Sequence, residues 1–257
     1  MIVTTSGRPD IHLIQTAMEI ATELNGHFLK RNKQAVADIK KSHREDVLVV
    51  GKNRLELHVL GQDSPLFFHP NSAMFRIKRL IKGETDPFCE ACSLQEGDFV
   101  LDCTLGLASD SIIASYVVGE KGFVKGIEES KSLAYIVKNG LQQWETGLDV
   151  LDQAMKRIHV TISDHLSYLR ECPEHSFDVI YFDPMFEETI EGSIGLLPLK
   201  SVANFSALRK EAIMEAKRVA RRRIVLKDHW KSSRFQELGF TVQVRKSAKF
   251  HYGVIEI

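Results

Sequence analysis

From residue 99 onward the chain alternates short apolar runs with amphipathic stretches, and no other feature restricts its fold as much. The runs are Phe99–Asp102, Phe123–Ile127, Ile158–Ile162, Phe177–Phe182, Arg223–Lys227, Thr241–Arg245 and Tyr252–Ile257. Short apolar runs bounded by turn residues read as strands. Helical spacing marks Ser109–Val118, Lys131–Glu145, Ser163–Arg170 and Asn204–Ala220 between the first five runs. The last of these carries Phe205, Leu208, Ala212, Ala216 and Val219 on one stripe. A short helix, Ser232–Leu238, precedes the sixth run. Such alternation predicts a wound, mostly parallel α/β sheet. Only Lys246–His251 separates the final two runs. That is too short for a crossover helix, so the sheet is expected to end in an antiparallel hairpin.

The first 85 residues have a different texture and are expected to form a small α+β domain, with residues 86–257 as the second domain. A strand at Met1–Thr5 precedes a helix over Ile11–Leu24, which Asp10 is placed to cap and Asn25-Gly26 to end. A strand at His27–Lys30 and a helix at Gln34–Ser42 follow. Val47–Val50 and Leu55–Leu60 flank Gly51-Lys52-Asn53-Arg54 like the arms of a hairpin. Ala73–Ile81 reads as a helix.

Composition narrows the function classes. The 257 residues hold 34 basic and 34 acidic side chains, so no global charge draws the chain to nucleic acid or membrane, although a local basic face is compatible with it. No run approaches the roughly 20 apolar residues of a spanning helix, and MIVTTSGRPD does not read as a signal peptide. A cytoplasmic protein with reduced thiols is expected, with no membrane partner. Cys89 and Cys92 form a lone C-x-x-C, read as packing rather than as metal ligands, and no metal is expected.

Chemistry gathers where the strands end, because ligands of open α/β sheets sit at the carboxyl ends of their strands. In VLDCTLGLASDS a strand runs into Asp102, then Gly106, then a helix opened by Ser109 or Asp110. One glycine alone is a weak nucleotide-loop signal. Glu128 and Glu129 end the next strand, 26 residues after Asp102 in the case of Glu128. A carboxylate there can accept from both hydroxyls of a ribose, and acids are equally favourable at the start of a helix. Asp164 and His165 follow the third strand, placed to meet an adenine or simply to open a helix.

The fourth strand stops at FDVIYFDPMF. Asp183 and the Pro184 carbonyl are hydrogen-bond acceptors, and Phe186 is a face on which a base can stack, worth about 1–3 kcal/mol. An amino group conjugated to a ring is a poor nucleophile, so a site for it must orient it, and such acceptors do that. An ordinary strand stop with a buried phenylalanine is the plainer alternative.

FDVIYFDPMF, VLDCTLGLASDS, GIEES and RRRIVLKDHW together resemble the class I S-adenosylmethionine-dependent methyltransferases. Within them the chain is most similar to the RsmJ-type family, bacterial small-subunit ribosomal RNA methyltransferases that modify a guanine exocyclic amine. The likeness runs from about Phe67 to the C-terminus. DPMF resembles the Asp-Pro-Pro-Tyr/Phe signature of amino methyltransferases. The resemblance implies a Rossmann-like seven-stranded fold and S-adenosyl-L-methionine as cofactor. It implies cofactor contacts near Ser109, Asp110, Glu128, Glu129, Asp164, His165 and Asp183, and a target base at Asp183, Pro184 and Phe186. The family loop usually has two glycines and an arginine before the aspartate; here it reads Gly106-Leu107-Ala108-Ser109-Asp110. Glu187 stands where proline often follows the signature.

RNA, as ribosomal RNA or the small subunit, is the expected partner. Three basic clusters suit phosphate contacts: the six basic residues of Lys217–Lys227; Lys30, Arg31, Lys33, Lys40, Lys41 and Arg44; and Arg76, Lys78, Arg79 and Lys82. The loop Glu187–Ala203, with Gly192, Gly195 and Pro198, reads as a lid. A protein or small-molecule methyltransferase, and a non-catalytic RNA-binding factor of the same fold, are the alternatives.

Overall fold

The computed structural model describes residues 1–184, 208–246 and 248–257. The N-terminal part is β1 (Ile2–Thr5), α1 (Ile11–Glu23), β2 (His27–Phe28), α2 (Val36–His43), β3 (Val47–Val50), β4 (Leu55–His58) and α3 (Asn71–Ile81). Its four strands form one sheet in the order β2-β1-β3-β4, with β3 and β4 paired antiparallel as the expected hairpin. Asp10 caps α1 by accepting from the Leu13 N–H at 2.8 Å.

The remainder is α4 (Pro87–Cys92), β5 (Phe99–Asp102), α5 (Ser109–Val118), β6 (Phe123–Glu128), α6 (Lys131–Gln143), α7 (Asp149–Lys156), β7 (Ile158–Ile162), α8 (His165–Glu171) and β8 (Phe177–Phe182). Then follow α9 (Lys210–Val219), β9 (Ala220–His229), α10 (Arg234–Glu237), β10 (Thr241–Gln243) and β11 (Phe250–Glu256). The second sheet has seven strands in the order β10-β11-β9-β8-β5-β6-β7. β5 to β9 are mutually parallel, and β11 pairs antiparallel with both β9 and β10, the expected terminal hairpin.

Both faces of this sheet are covered, which explains why β8 reads as a nearly continuous apolar run. Val179 and Tyr181 point into one apolar cluster, Ile180 and Phe182 into another. The first cluster also takes in Val3, Leu48, Ile77, Phe88, Ile112 and Val225, so both sheets pack into one core.

Several elements end a residue or two from their sequence reading, among them β2, β4, α6 and β10, and three differ by more. α4 was not expected, yet Asp86 accepts from Phe88 and Cys89 N–H as its cap and Pro87 opens it, a local signature of a helix start. α7 was not expected either; it is short and buries Leu151, Ala154 and Met155. β9 extends three residues earlier and two later than its apolar run, because pairing with β8 reaches back to Ala220 and pairing with β11 runs on to His229. For the last long helix, Lys210–Val219 is described, while Asn204 and Phe205 lie outside the described residues.

Candidate active site

The carboxyl ends of β5, β6 and β8 deliver Asp102, Glu128 and Asp183 to one rim of the sheet. Strand order reverses between β5 and β8, and such a switch point opens a crevice above the sheet. The loop after β5 stays tied to both neighbours: the Cys103 N–H donates to Tyr181 O at 2.9 Å and the Leu105 N–H to Ile127 O at 3.0 Å. Leu105 lies over β6 so closely that a side chain on Gly126 would meet it at 2.3 Å. That contact accounts for a glycine inside a strand.

Asp102 is 2% exposed and spends its carboxylate on the loop. Oδ1 accepts from the Thr104 N–H at 3.0 Å, and Oδ2 from the Ser111 hydroxyl at 2.6 Å. Burial pushes its carboxyl up to about 7 against the pull of those two donors. Asp102, a candidate cofactor residue by its place at the strand end, uses both oxygens to anchor the loop.

Gly106 (φ 51°) and Ala108 (φ 62°) both adopt the left-handed conformation. Ala108 thus does with a methyl side chain what the family's second glycine does without one. Ser109 follows at the start of α5, and its Oγ is buried with no hydrogen-bond partner among the described residues. A buried hydroxyl of that kind calls for an acceptor.

Glu128 is buried at the end of β6. Oε1 accepts from the Ser130 N–H at 2.9 Å and Oε2 from the Gly106 N–H at 3.2 Å. Burial raises its pKa, opposed by those N–H groups. A carboxylate offers about four acceptor sites, so capacity remains beside these N–H groups, which suits a hydroxyl-bearing ligand. Glu129, next to it, is exposed. Asp164 caps α8 by accepting from the Ser167 N–H at 2.9 Å, and its pKa is lowered chiefly by the Ser167 hydroxyl, with that N–H adding to the effect. His165 stands edge-on to Phe182 at 5.8 Å, with its pKa lowered by burial.

A second group of charges occupies the other side of the switch point. Asp183 donates its N–H to Thr104 Oγ1 at 2.6 Å, and its Oδ2 accepts from Lys227 Nζ at 2.6 Å. Among the described residues, no hydrogen bond is made to Oδ1. Burial raises the Asp183 pKa; Lys227 opposes this, and the Asp110 charge adds to it. Lys227 also reaches Asp110 Oδ2 at 3.2 Å, where the Tyr181 hydroxyl donates at 2.8 Å. Arg76 comes from α3, donating to Asp110 at 2.5 Å and to both oxygens of Asp86 at 2.8 Å. Burial would raise Asp110, but Lys227 and Arg76 hold it well below the usual carboxylate range. Asp110, expected at the cofactor, therefore sits in a buried ion network. Pro184 follows Asp183 and is half-buried. Phe186 and Glu187–Ala203 lie outside the described residues.

Sequence reading passed over Thr104, Ser111, Tyr181, Arg76 and Lys227 as parts of this site. Lys227 was legible in principle, since it stands near the carboxyl end of the fifth strand. Arg76 was not, because its partner lies 34 residues away.

Two basic clusters also need correction. In Lys217–Lys227, Arg218 binds Cys172 O and Leu169 O, Arg221 binds His175 O, Arg222 binds Asp98, Arg223 binds Ala91 O and Glu256, and Lys227 binds Asp110 and Asp183. Five of its six cations thus hold the chain together. In the helix cluster, Arg76 is committed as above and Arg79 pairs with Glu84 at 2.6 Å. Cys92 is fully buried, and burial pushes the Cys89 thiol up to about 12, which suits packing thiols. Among the described residues no helix is long and apolar enough to cross a membrane.

The family model described as "Putative SAM-dependent methyltransferase" matches residues 31–250. Over 255 residues, 99% of each chain, the protein is 51% identical to Uncharacterized protein YpiP of Bacillus subtilis. It is similar to Ribosomal RNA small subunit methyltransferase J of Acinetobacter baylyi, 31% identical over 116 residues covering 44% of this chain and 41% of that one. The same enzyme of Buchnera aphidicola is 32% identical over 134 residues, 50% of this chain and 52% of that one. These alignments span about half of the J methyltransferases or less. In fold the protein resembles the crystal structure of the SAM-dependent methyltransferase NGO1261 from Neisseria gonorrhoeae, with a TM-score of 0.66 at 13% identity over 100% of this chain and 96% of that one. The matched span takes in the loop after β5, Glu128 and Asp183-Pro184. The chain belongs to the SAM-dependent methyltransferase family, with its Rossmann-like sheet and with S-adenosylmethionine as cofactor.

Proposed function

We propose that this methyltransferase modifies the exocyclic amino group of a guanine in RNA, in the small-subunit ribosomal RNA. The observation that carries the reading is the posture of Asp183. Thr104 fixes its backbone, Lys227 takes Oδ2, and, among the described residues, Oδ1 is left for the hydrogens of an amino group. The partial likeness to methyltransferase J supports the choice of substrate.

S-adenosylmethionine, when bound, supplies an electrophilic methyl group. Glu128 would hold its ribose hydroxyls with its remaining acceptor capacity. Left-handed Gly106 would let the backbone approach, and the Ser109 hydroxyl would find an acceptor. Asp164 and His165 would border the adenine. On the substrate side, Asp183 orients the amine and takes its proton at Oδ1; the pKa raised by burial makes it the better acceptor. Pro184 removes a competing N–H donor beside it and offers its carbonyl. Phe186 would stack on the base, extruded from its neighbours. Residues 1–85 would act as a substrate-side domain, fastened to the catalytic loop through Arg76.

The test is transfer of radiolabelled methyl from S-adenosylmethionine to naked small-subunit ribosomal RNA and to small subunits, with Asp183→Ala as control. Labelled N-methylguanine supports the reading, and activity confined to protein or small amines overturns it. That second reading draws on one observation: most of the Lys217–Lys227 cluster is committed inside the fold.

A further inference from the structure

With Lys217–Lys227 largely engaged internally, an RNA-directed enzyme needs another surface for the strand around its target. We infer that the rim built by Trp230, Lys231, Lys249, Phe250 and Arg245 is a platform for single-stranded RNA flanking the target nucleotide. This rests on the proposed reading of Asp183 as the site of an RNA base.

Position is the first argument. β8 and β9 run parallel, and Lys227 of β9 touches Asp183 beyond the end of β8. Trp230 lies three residues past Lys227 in the sequence, so roughly 10 Å farther out at most. Phe250 pairs with His229 across the β9–β11 ladder, and the Trp230 N–H donates to Lys249 O at 3.3 Å. The patch therefore borders the acceptor side of the switch point, away from Glu128 on β6.

Chemistry is the second. Trp230 is 50% exposed on a turn that is firmly held. Buried Asp228 accepts from the His229 N–H at 2.7 Å and from the Ser232 hydroxyl at 2.7 Å, and pairs with Arg234 at 2.7 Å. A rigid turn that presents an indole to water is a stacking surface whose ordering is already done. Lys231 lies 4.9 Å over that indole, while half-buried Phe250 backs the patch with Lys227 and Arg245 over its ring at 5.2 and 4.7 Å, so Trp230 supplies the open stacking face. Lys249 is exposed beside them. Residues 228–251 hold five Lys or Arg against Asp228 and Glu237, and with Arg234 paired to Asp228 the remaining four, Lys231, Arg245, Lys246 and Lys249, face one Glu in a chain of zero formal net charge. Aromatic faces interleaved with cations match bases and phosphates of a single strand, and a duplex would hide the faces that the rings need.

The experiment uses the full chain and two probes, naked small-subunit ribosomal RNA and a short poly(U) strand. Variants are Trp230→Ala, Trp230→Phe and Lys231→Ala/Lys249→Ala, with Phe75→Ala on α3 as a second exposed aromatic. Binding of S-adenosylhomocysteine, unchanged in each, shows that the variants fold. The proposal expects Trp230→Ala to weaken RNA binding roughly five- to hundredfold, as loss of one stacked base does, while Trp230→Phe retains most of it. The double lysine variant should flatten the dependence of binding on salt. In a Trp144→Phe background, RNA should quench the remaining Trp230 fluorescence. Native protein that binds and methylates RNA with the Trp230 and lysine variants indistinguishable from it overturns the platform and leaves the proposed function standing. Loss of binding on Phe75→Ala alone overturns the platform and moves the contact to α3. Native protein that neither binds nor methylates either RNA overturns both.

Discussion

Asp102 and Glu128 on one side of the switch point and Asp110 and Asp183 on the other are four carboxylates in one loop cluster, held in opposite ways. The first pair is stabilised by hydroxyl and backbone N–H donors: Thr104 and Ser111 for Asp102, Gly106 and Ser130 for Glu128. Burial raises the pKa of both. The second pair shares Lys227, with Arg76 and Tyr181 completing Asp110. Under the proposed function the two arrangements would divide the labour, with Glu128 on the cofactor side and Asp183 on the substrate side. Neutral hydroxyls of a cofactor are suitably met by acceptors that carry no cation beside them. A carboxylate that must stay in one posture while a proton arrives is suitably held by a cation on its other oxygen.

The comparison can be broken at each carboxylate. Asp183→Ala should lower kcat by about 10²–10⁴-fold, the range of a lost acid–base group, with S-adenosylhomocysteine affinity little changed. An equal loss of cofactor affinity would erase the distinction between the two sides. Lys227→Met leaves two carboxylates short of a cation and should cost about 3 kcal/mol in denaturant unfolding. Its effect on pH has a definite sign. Lys227 lowers the Asp183 pKa against burial, so removing it lets that pKa climb and moves the acid limb of the kcat profile to higher pH. A limb that moves to lower pH contradicts the network.

Asp102→Asn probes the side without cations. Folded Asp102 keeps its proton up to about pH 7, whereas an unfolded aspartate releases it near pH 4, so native stability falls as pH rises through that window. Asparagine has no such loss. The stability of the variant relative to the native protein should therefore improve by roughly 2–4 kcal/mol between pH 4 and pH 8. A flat difference across that range would place Asp102 among ionised, cation-like environments. Glu128→Ala should weaken S-adenosylhomocysteine binding by about 1.5–3 kcal/mol in calorimetry, the value of hydrogen bonds to a charged group. Unchanged affinity would remove Glu128 from the cofactor side.

The sheet was legible because periodicity and punctuation are local. Phe99–Asp102, Ile158–Ile162 and Phe177–Phe182 form strands over the residues their apolar runs mark, and Ser109–Val118 forms the helix that its spacing marks. The closing hairpin followed from the short Lys246–His251 connection. Asp102, Glu128 and Asp183 were legible as strand-end residues for the same reason, since a strand end is a position in sequence.

What they touch was not legible. Asp110 looked like the opening acid of a helix, and it is, but its partners come from α3, β8 and β9. The arginines before Lys227 looked like a surface for phosphate, yet their acceptors are carbonyls and carboxylates of other elements. Sequence by itself determined the order of strands and helices and the rim on which the carboxylates stand, because backbone conformation answers to neighbours a few residues away. Only the tertiary structure decided which carboxylate meets a cation and which meets N–H groups. Those partners are separated by tens of residues, and burial, which sets the strength of every such interaction, exists only once the sheet is packed.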